Sequence, residues 1–243
     1  MKIQNIKVNK NGKYVVTIDN EKYNLYQDTI IKYLLFSKKE IDNVLFENIK
    51  KDNSFYDAYY KIIKFVSFRL RTENEIKKKL NSLFILKKEQ DKIIELLKKQ
   101  GYLNDELYIK SYINDKINLS LDGPEKVKRQ LLKNGFKKED ISKYLTLFDD
   151  INEERINKII NKKLKTNKRF SKKMFIQKVS ADLRNLGYTN FNTYLNNIQF
   201  SDKEIYQKEY EKIYNKFIKK YPLDKAKMLT KQKLYAKGFY DEY

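Results

Sequence analysis

The chain contains no cysteine, no histidine and no tryptophan, and only two prolines among its 243 residues. Without cysteine there is no disulfide framework, and without histidine most metal sites and most acid–base catalysis near neutral pH fall away. Glycine is scarce as well, with six copies and no glycine-rich phosphate loop. No apolar run approaches the roughly 18 residues of a membrane-spanning helix, and the polar start MKIQNIKVNK lacks the apolar core of a secretory signal. The expectation is a cytoplasmic protein of bacterial type with no catalytic residue, cofactor, metal or membrane partner.

Basic residues are abundant instead. Lysine plus arginine number 53 against 32 acids, a formal charge of +21, which exceeds what solubility requires and suits a polyanionic partner. Only six of the cations are arginine, and the chain is also rich in Asn, Ile and Tyr, as an AT-rich coding sequence produces. Codon usage explains lysine over arginine; it does not explain base over acid. Apolar residues make up 41% and aromatics 14%, with a mean hydropathy of −0.78. That is enough for small folded units and too little for one large core, so a mainly α, elongated tandem array is expected.

A repeated hexad supports the array. LNSLFI from Leu80, LLKNGF from Leu131, LRNLGY from Leu183 and LYAKGF from Leu234 begin 51, 52 and 51 residues apart. In LLKNGF and LYAKGF an apolar helix end is followed by a glycine suited to a left-handed helix cap, then by an aromatic that packs back. Phe84 stands where the glycine should be, and the steric cost of positive φ predicts that this turn closes differently. Helix starts are predicted at the capping boxes Thr72/Glu75 and Ser201/Glu204, at Asn104 and Asn152, and at Gly123–Pro124. The first repeat shows three apolar stripes: Tyr59, Ile63, Val66 and Leu70; then Ile76, Leu80 and Leu83; then Ile93, Ile94 and Leu97. The chain divides accordingly into three-helix repeats at 54–103, 104–150 and 151–200, with a truncated fourth at 201–243. Residues 1–53 differ. KYVVTI and YNLY, separated by the turns NKNG and DNEK, predict a small three-stranded β-meander, followed by helical stretches from Asp28 to Phe36 and from a Ser37/Glu40 capping box to about Ile49.

The charge is unevenly spread. From Arg155 to Ala181 there are ten basic residues and no acid. Arg155, Lys158, Lys162 and Lys165 recur at helical spacing opposite Ile156, Ile159, Ile160 and Leu164, which predicts a positive stripe facing solvent. On the next helix Phe175, Val179, Leu183 and Leu186 are expected in the core and Lys172, Lys173 and Lys178 outside. KVKRQLLK adds Lys126, Lys128, Arg129 and Lys133 beside the core positions Val127 and Leu131. Such faces bind phosphate or acidic protein surfaces, although a solvated face is the bland reading of each.

Other chemistries are weaker. Asp149, Asp150, Glu153 and Glu154 of FDDINEE are the one acid cluster with any claim to a nuclease-type Mg²⁺ site, and their place at a helix start explains them through the helix dipole. The tyrosines mostly follow apolar helix faces and read as core. Tandem helix-turn-helix readers would need adjacent exposed Arg, Asn or Gln, whereas lysines contact phosphates without reading bases.

The segment YLNDELYIKSYINDKINLSLDGPEKVKRQLLKNGF, from Tyr102 to Phe136, resembles the central signature of the RecX regulatory family. Its acidic helix start, GP turn and basic helix ending in LxxxGF carry the likeness. Tyr59 to Leu80, with Arg69, Arg71 and ENEIKKKL, resembles that family's first repeat, and LYAKGF resembles the end of its longer members. Most of the chain is covered; Phe84 and the lysine-heavy third repeat depart from the pattern. The resemblance implies a modulator that binds the RecA recombinase filament on single-stranded DNA. It would inhibit ATP hydrolysis, strand exchange and coprotease function, and so act on DNA repair and the SOS response. Expected partners are that filament, single-stranded DNA and secondarily double-stranded DNA, contacted by a monomer. The candidate contact residues are Arg69 and Arg71; Lys126, Lys128 and Arg129; and Arg155, Lys162, Lys172 and Lys173. The competing reading is a sequence-nonspecific DNA-binding protein that acts without a recombinase.

Overall fold

A computed structural model describes residues 1–199 and 201–240. Phe200, placed at the end of the third repeat, and the last three residues of the fourth lie outside the described residues. The chain is mainly α, with a three-stranded antiparallel sheet at its start, and forms two compact units, Met1–Tyr108 and Ile109–Tyr243.

In the first unit β1 (Ile3–Val8), β2 (Tyr14–Ile18) and β3 (Glu21–Leu25) pair in sequence order, as the meander predicts. Asp19 and Asn20, at φ 45° and 71°, make the two-residue hairpin turn whose twist matches the flanking strands. The sheet packs Val16, Ile18 and Leu25 against Ile30 of α1 (Gln27–Lys32) and Phe46 and Ile49 of α2 (Asn43–Ser67). The Ser37/Glu40 capping box does not form. Ser37 ends a short 3₁₀ turn, Glu40 pairs with Lys2, and α2 starts later, where Asp42 accepts the Leu45 amide at 2.7 Å.

The second half of α2 packs with α3 (Glu73–Ser82) and α4 (Lys87–Lys99) around Tyr59, Ile62, Val66, Ile76, Leu80, Ile93 and Leu97. Ile62, fully buried, takes the central place expected for Ile63, and Leu70 lies beyond the helix end, 37% exposed. Thr72 and Glu75 form both bonds of the predicted capping box. The helix α5 (Asp105–Leu119) begins at the end of this unit, with Asn104 Oδ1 accepting the Leu107 amide at 2.9 Å.

The second unit continues with α6 (Pro124–Lys133), α7 (Lys138–Leu145), α8 (Asn152–Thr166), α9 (Lys172–Leu186), α10 (Asn192–Asn196), α11 (Lys203–Phe217) and α12 (Leu223–Tyr235). Ile156, Ile159 and Ile160 of α8 meet Phe175, Val179 and Leu183 of α9 in a shared core. The start of α11 departs from the expected Ser201 capping box: Asp202 is its N-cap, without a side-chain cap bond, and its carboxylate instead accepts the Lys172 amide at 2.8 Å.

All four hexads close in one way. The sixth-residue amide donates to the first-residue carbonyl in each: Ile85 to Leu80, Phe136 to Leu131, Tyr188 to Leu183 and Phe239 to Leu234, at 2.9–3.3 Å. This corrects the expectation for the first copy. Phe84 adopts the left-handed conformation, φ 56°, in the position that Gly135, Gly187 and Gly238 occupy elsewhere. Gln90, buried, donates to Ile85 O at 2.7 Å and Asn81 Oδ1 at 2.8 Å and ties that turn down. Phe84 itself points into solvent, 93% exposed.

Candidate binding surface

Within the second unit the hexad turns also act as joints. Leu186 O accepts the Gly123 amide at 2.6 Å and Gly187 O accepts the Glu125 amide at 3.1 Å, so carbonyls of LRNLGY satisfy amides at the start of α6 that lack helical partners. Gly123 offers no capping side chain, and a Cβ there would sit 2.8 Å from Gly187 O. The next hexad repeats the device: Lys237 O accepts the Ser171 amide at 3.2 Å beside the start of α9, and Ser171 Oγ accepts the Met174 amide.

Arg155 completes the first joint. Its Nη1 donates to Ile117 O at 2.5 Å, Nη2 to Ser120 O at 2.8 Å and Asp122 O at 3.2 Å, and Nε to Tyr188 Oη at 3.0 Å. The guanidinium is a staple between α8 and the loop before α6. The expectation of a solvent-facing stripe from Arg155 to Lys165 is therefore corrected at its first residue: Lys158, Lys162 and Lys165 are exposed, Arg155 is half-buried with its donors engaged. The sequence gives no local sign of this, because the acceptors are 33 to 38 residues away.

Several other candidate cations are also matched. Arg69 Nη2 lies 2.5 Å from Glu75 Oε1; Arg71 Nη1 lies 3.4 Å from the same oxygen and its guanidinium 3.9 Å from the Phe65 ring centroid. Lys126 Nζ is 2.6 Å from Asp122 Oδ1, and Lys128 Nζ 3.8 Å from Glu125. Burial pushes the Asp122 carboxyl up, but Lys126 and Lys116 outweigh it and hold the group below the usual carboxylate range. Lys172 is half-buried. Arg129 and Lys162 are exposed and make no ion pair among the described residues, and Lys173, also exposed, lies 4.8 Å over the Tyr240 ring. Those three offer charge to a partner at least cost, since no ion pair among the described residues must be broken.

No family model matches the sequence. Over 131 residues the chain is 33% identical to the regulatory protein RecX of Listeria welshimeri, covering 51% of this chain and 48% of that protein. It is 32% identical to the Listeria innocua RecX over the same length. The chain thus spans about half the length of the relatives it matches. A crystal structure of a regulatory protein RecX superposes with TM-score 0.69 and 24% identity, over 79% of this chain and 98% of that one. RecX from Lactobacillus salivarius superposes with TM-score 0.55 and 24% identity, over 65% and 97%. The chain is thus similar in sequence to RecX regulatory proteins over about half its length and shares the fold of two RecX crystal structures over most of it.

Proposed function

We propose that the protein binds RecA-type recombinase filaments on single-stranded DNA and lowers their ATP hydrolysis, strand exchange and coprotease function, as a monomeric regulator without catalysis of its own. The observation that carries this reading is the 33% identity to regulatory proteins named RecX. Charge supports it: a chain at +21 whose exposed Arg129, Lys162 and Lys173 make no ion pair among the described residues suits both DNA phosphate and acidic protein surfaces. The four-repeat division, at 54–103, 104–150, 151–200 and 201–243, belongs to the same proposal and accounts for the recurring hexad.

The acid-free run from Arg155 to Ala181 favours one alternative, a nonspecific DNA binder acting without a recombinase. Charge reversal tests the two together. R129E/K162E/K173E is expected to weaken filament inhibition while far-UV circular dichroism stays helical. Unchanged inhibition contradicts the assignment of these residues. Inhibition that persists at salt sufficient to abolish binding to naked DNA argues against the alternative.

A further inference from the structure

The end of α8, the loop 167–171 and the facing side of α9 enclose an open groove of about 640 Å³. Lys163, Lys168, Arg169 and Lys178 line it, and its one acid, Asp182, is already held by Lys163 at 2.6 Å. Lys168, Arg169 and Lys178 are exposed and make no ion pair among the described residues. Three like charges converging without a counterion among the described residues repel one another, a cost that a bound polyanion relieves.

Phe170 stands among them. Its ring is half-buried in the groove wall, with Lys178 Nζ 4.5 Å from the ring centroid. The ring does not hang on a loose tether. Asn167 brackets its backbone, Nδ2 donating to Phe170 O at 3.0 Å and Oδ1 accepting the Phe170 amide at 3.2 Å.

We propose that this groove is a binding site for single-stranded DNA, in which an unpaired base stacks on Phe170 and the flanking phosphates lie on Lys168, Arg169 and Lys178. Cations alone would fit any polyanion. The aromatic ring decides the class, because an unpaired base presents a π-face and a duplex keeps its bases stacked inside and offers only phosphates. An acidic protein segment would use the cations and leave the ring unused. The inference rests on the DNA half of the proposed function and is independent of the recombinase half.

The test is fluorescence anisotropy of the full chain with labelled oligothymidylate of about 16 nucleotides, titrated with salt, beside a duplex of the same length. The single strand is expected to bind more tightly. F170L is expected to weaken that binding about tenfold, and F170Y to retain it. K168A/R169A, changed at exposed positions, is expected to reduce the slope of log affinity against log salt by about 1.4, the share of two phosphates on a single strand. Full affinity in F170L, an unaltered salt slope in K168A/R169A, equal binding of duplex and single strand, or no binding by the wild type overturns the proposal. If F170L fails to fold, the salt slope decides alone. A wild type that shows these effects without inhibiting a recombinase leaves the groove standing and removes the regulatory reading.

Discussion

Gly187 lies against the backbone of Lys126 so closely that a Cβ on Gly187 would fall 2.3 Å from the Lys126 amide nitrogen. Its φ of +88° adds a second reason for glycine. G187A is therefore expected to destabilise the second unit by well over the ~1 kcal/mol of a left-handed alanine alone, since backbone must move as well. Chemical denaturation checks this; a cost at or below that figure would show that the joint is loose.

Arg155 should behave as a stability residue. Its guanidinium satisfies three main-chain carbonyls, and bonds to a charged donor contribute roughly 1.5–3 kcal/mol each before the loss of context is counted. R155A is expected to lower the urea midpoint markedly, whereas R129A, at an exposed position, changes it by less than about 0.5 kcal/mol equivalent. Equal midpoints would refute the staple. Loss of function in R155A alone is thus no measure of partner contact.

Phe84 gives a prediction of the opposite sign. It holds φ 56° with 93% of its surface exposed, so F84G removes backbone strain and almost no packing. Left-handed strain of about 1–2 kcal/mol is set against about 0.5–1 kcal/mol for the greater freedom of glycine in the unfolded chain. A thermal midpoint equal to or above that of the wild type is expected. A clear decrease would mean that the ring packs on something it does not touch in this fold.

Acid should weaken the second unit through Asp122. Its folded pKa is below the unfolded one, so the stabilisation it brings is present above the unfolded value of roughly 4 and is lost as pH falls from there through the lower folded pKa. Glu73, lowered by Lys77 and Lys98, adds the same trend in the first unit. Urea midpoints should be level between about pH 7 and 5 and drop below about pH 4. D122N should show a smaller drop; an identical acid profile would remove Asp122 from the account.

What was legible in the sequence was local. The meander, the Thr72 box and the glycine-aromatic helix ends each depend on residues a few positions apart, and the structure has them. Ser37 and Ser201 carried the same capping pattern but start no helix, because Asp42 and Asp202 lie nearer the first apolar residues that packing draws into α2 and α11. Steric cost alone misplaces Phe84, because the Gln90 bonds and the Ile85-to-Leu80 bond fix its turn. The candidate surface was half legible. Exposed Arg129, Lys162 and Lys173 follow from helix periodicity, but the engagement of Arg155 depends on carbonyls that only the tertiary fold brings to it.

The most direct test of the regulatory reading is ATP hydrolysis by a RecA-type recombinase on single-stranded DNA while this protein is titrated in well below the recombinase concentration. Inhibition is expected at that ratio, because one regulator on an assembled filament affects many protomers, whereas competition for DNA needs far more protein. Undiminished hydrolysis under conditions where the protein still binds DNA would contradict it.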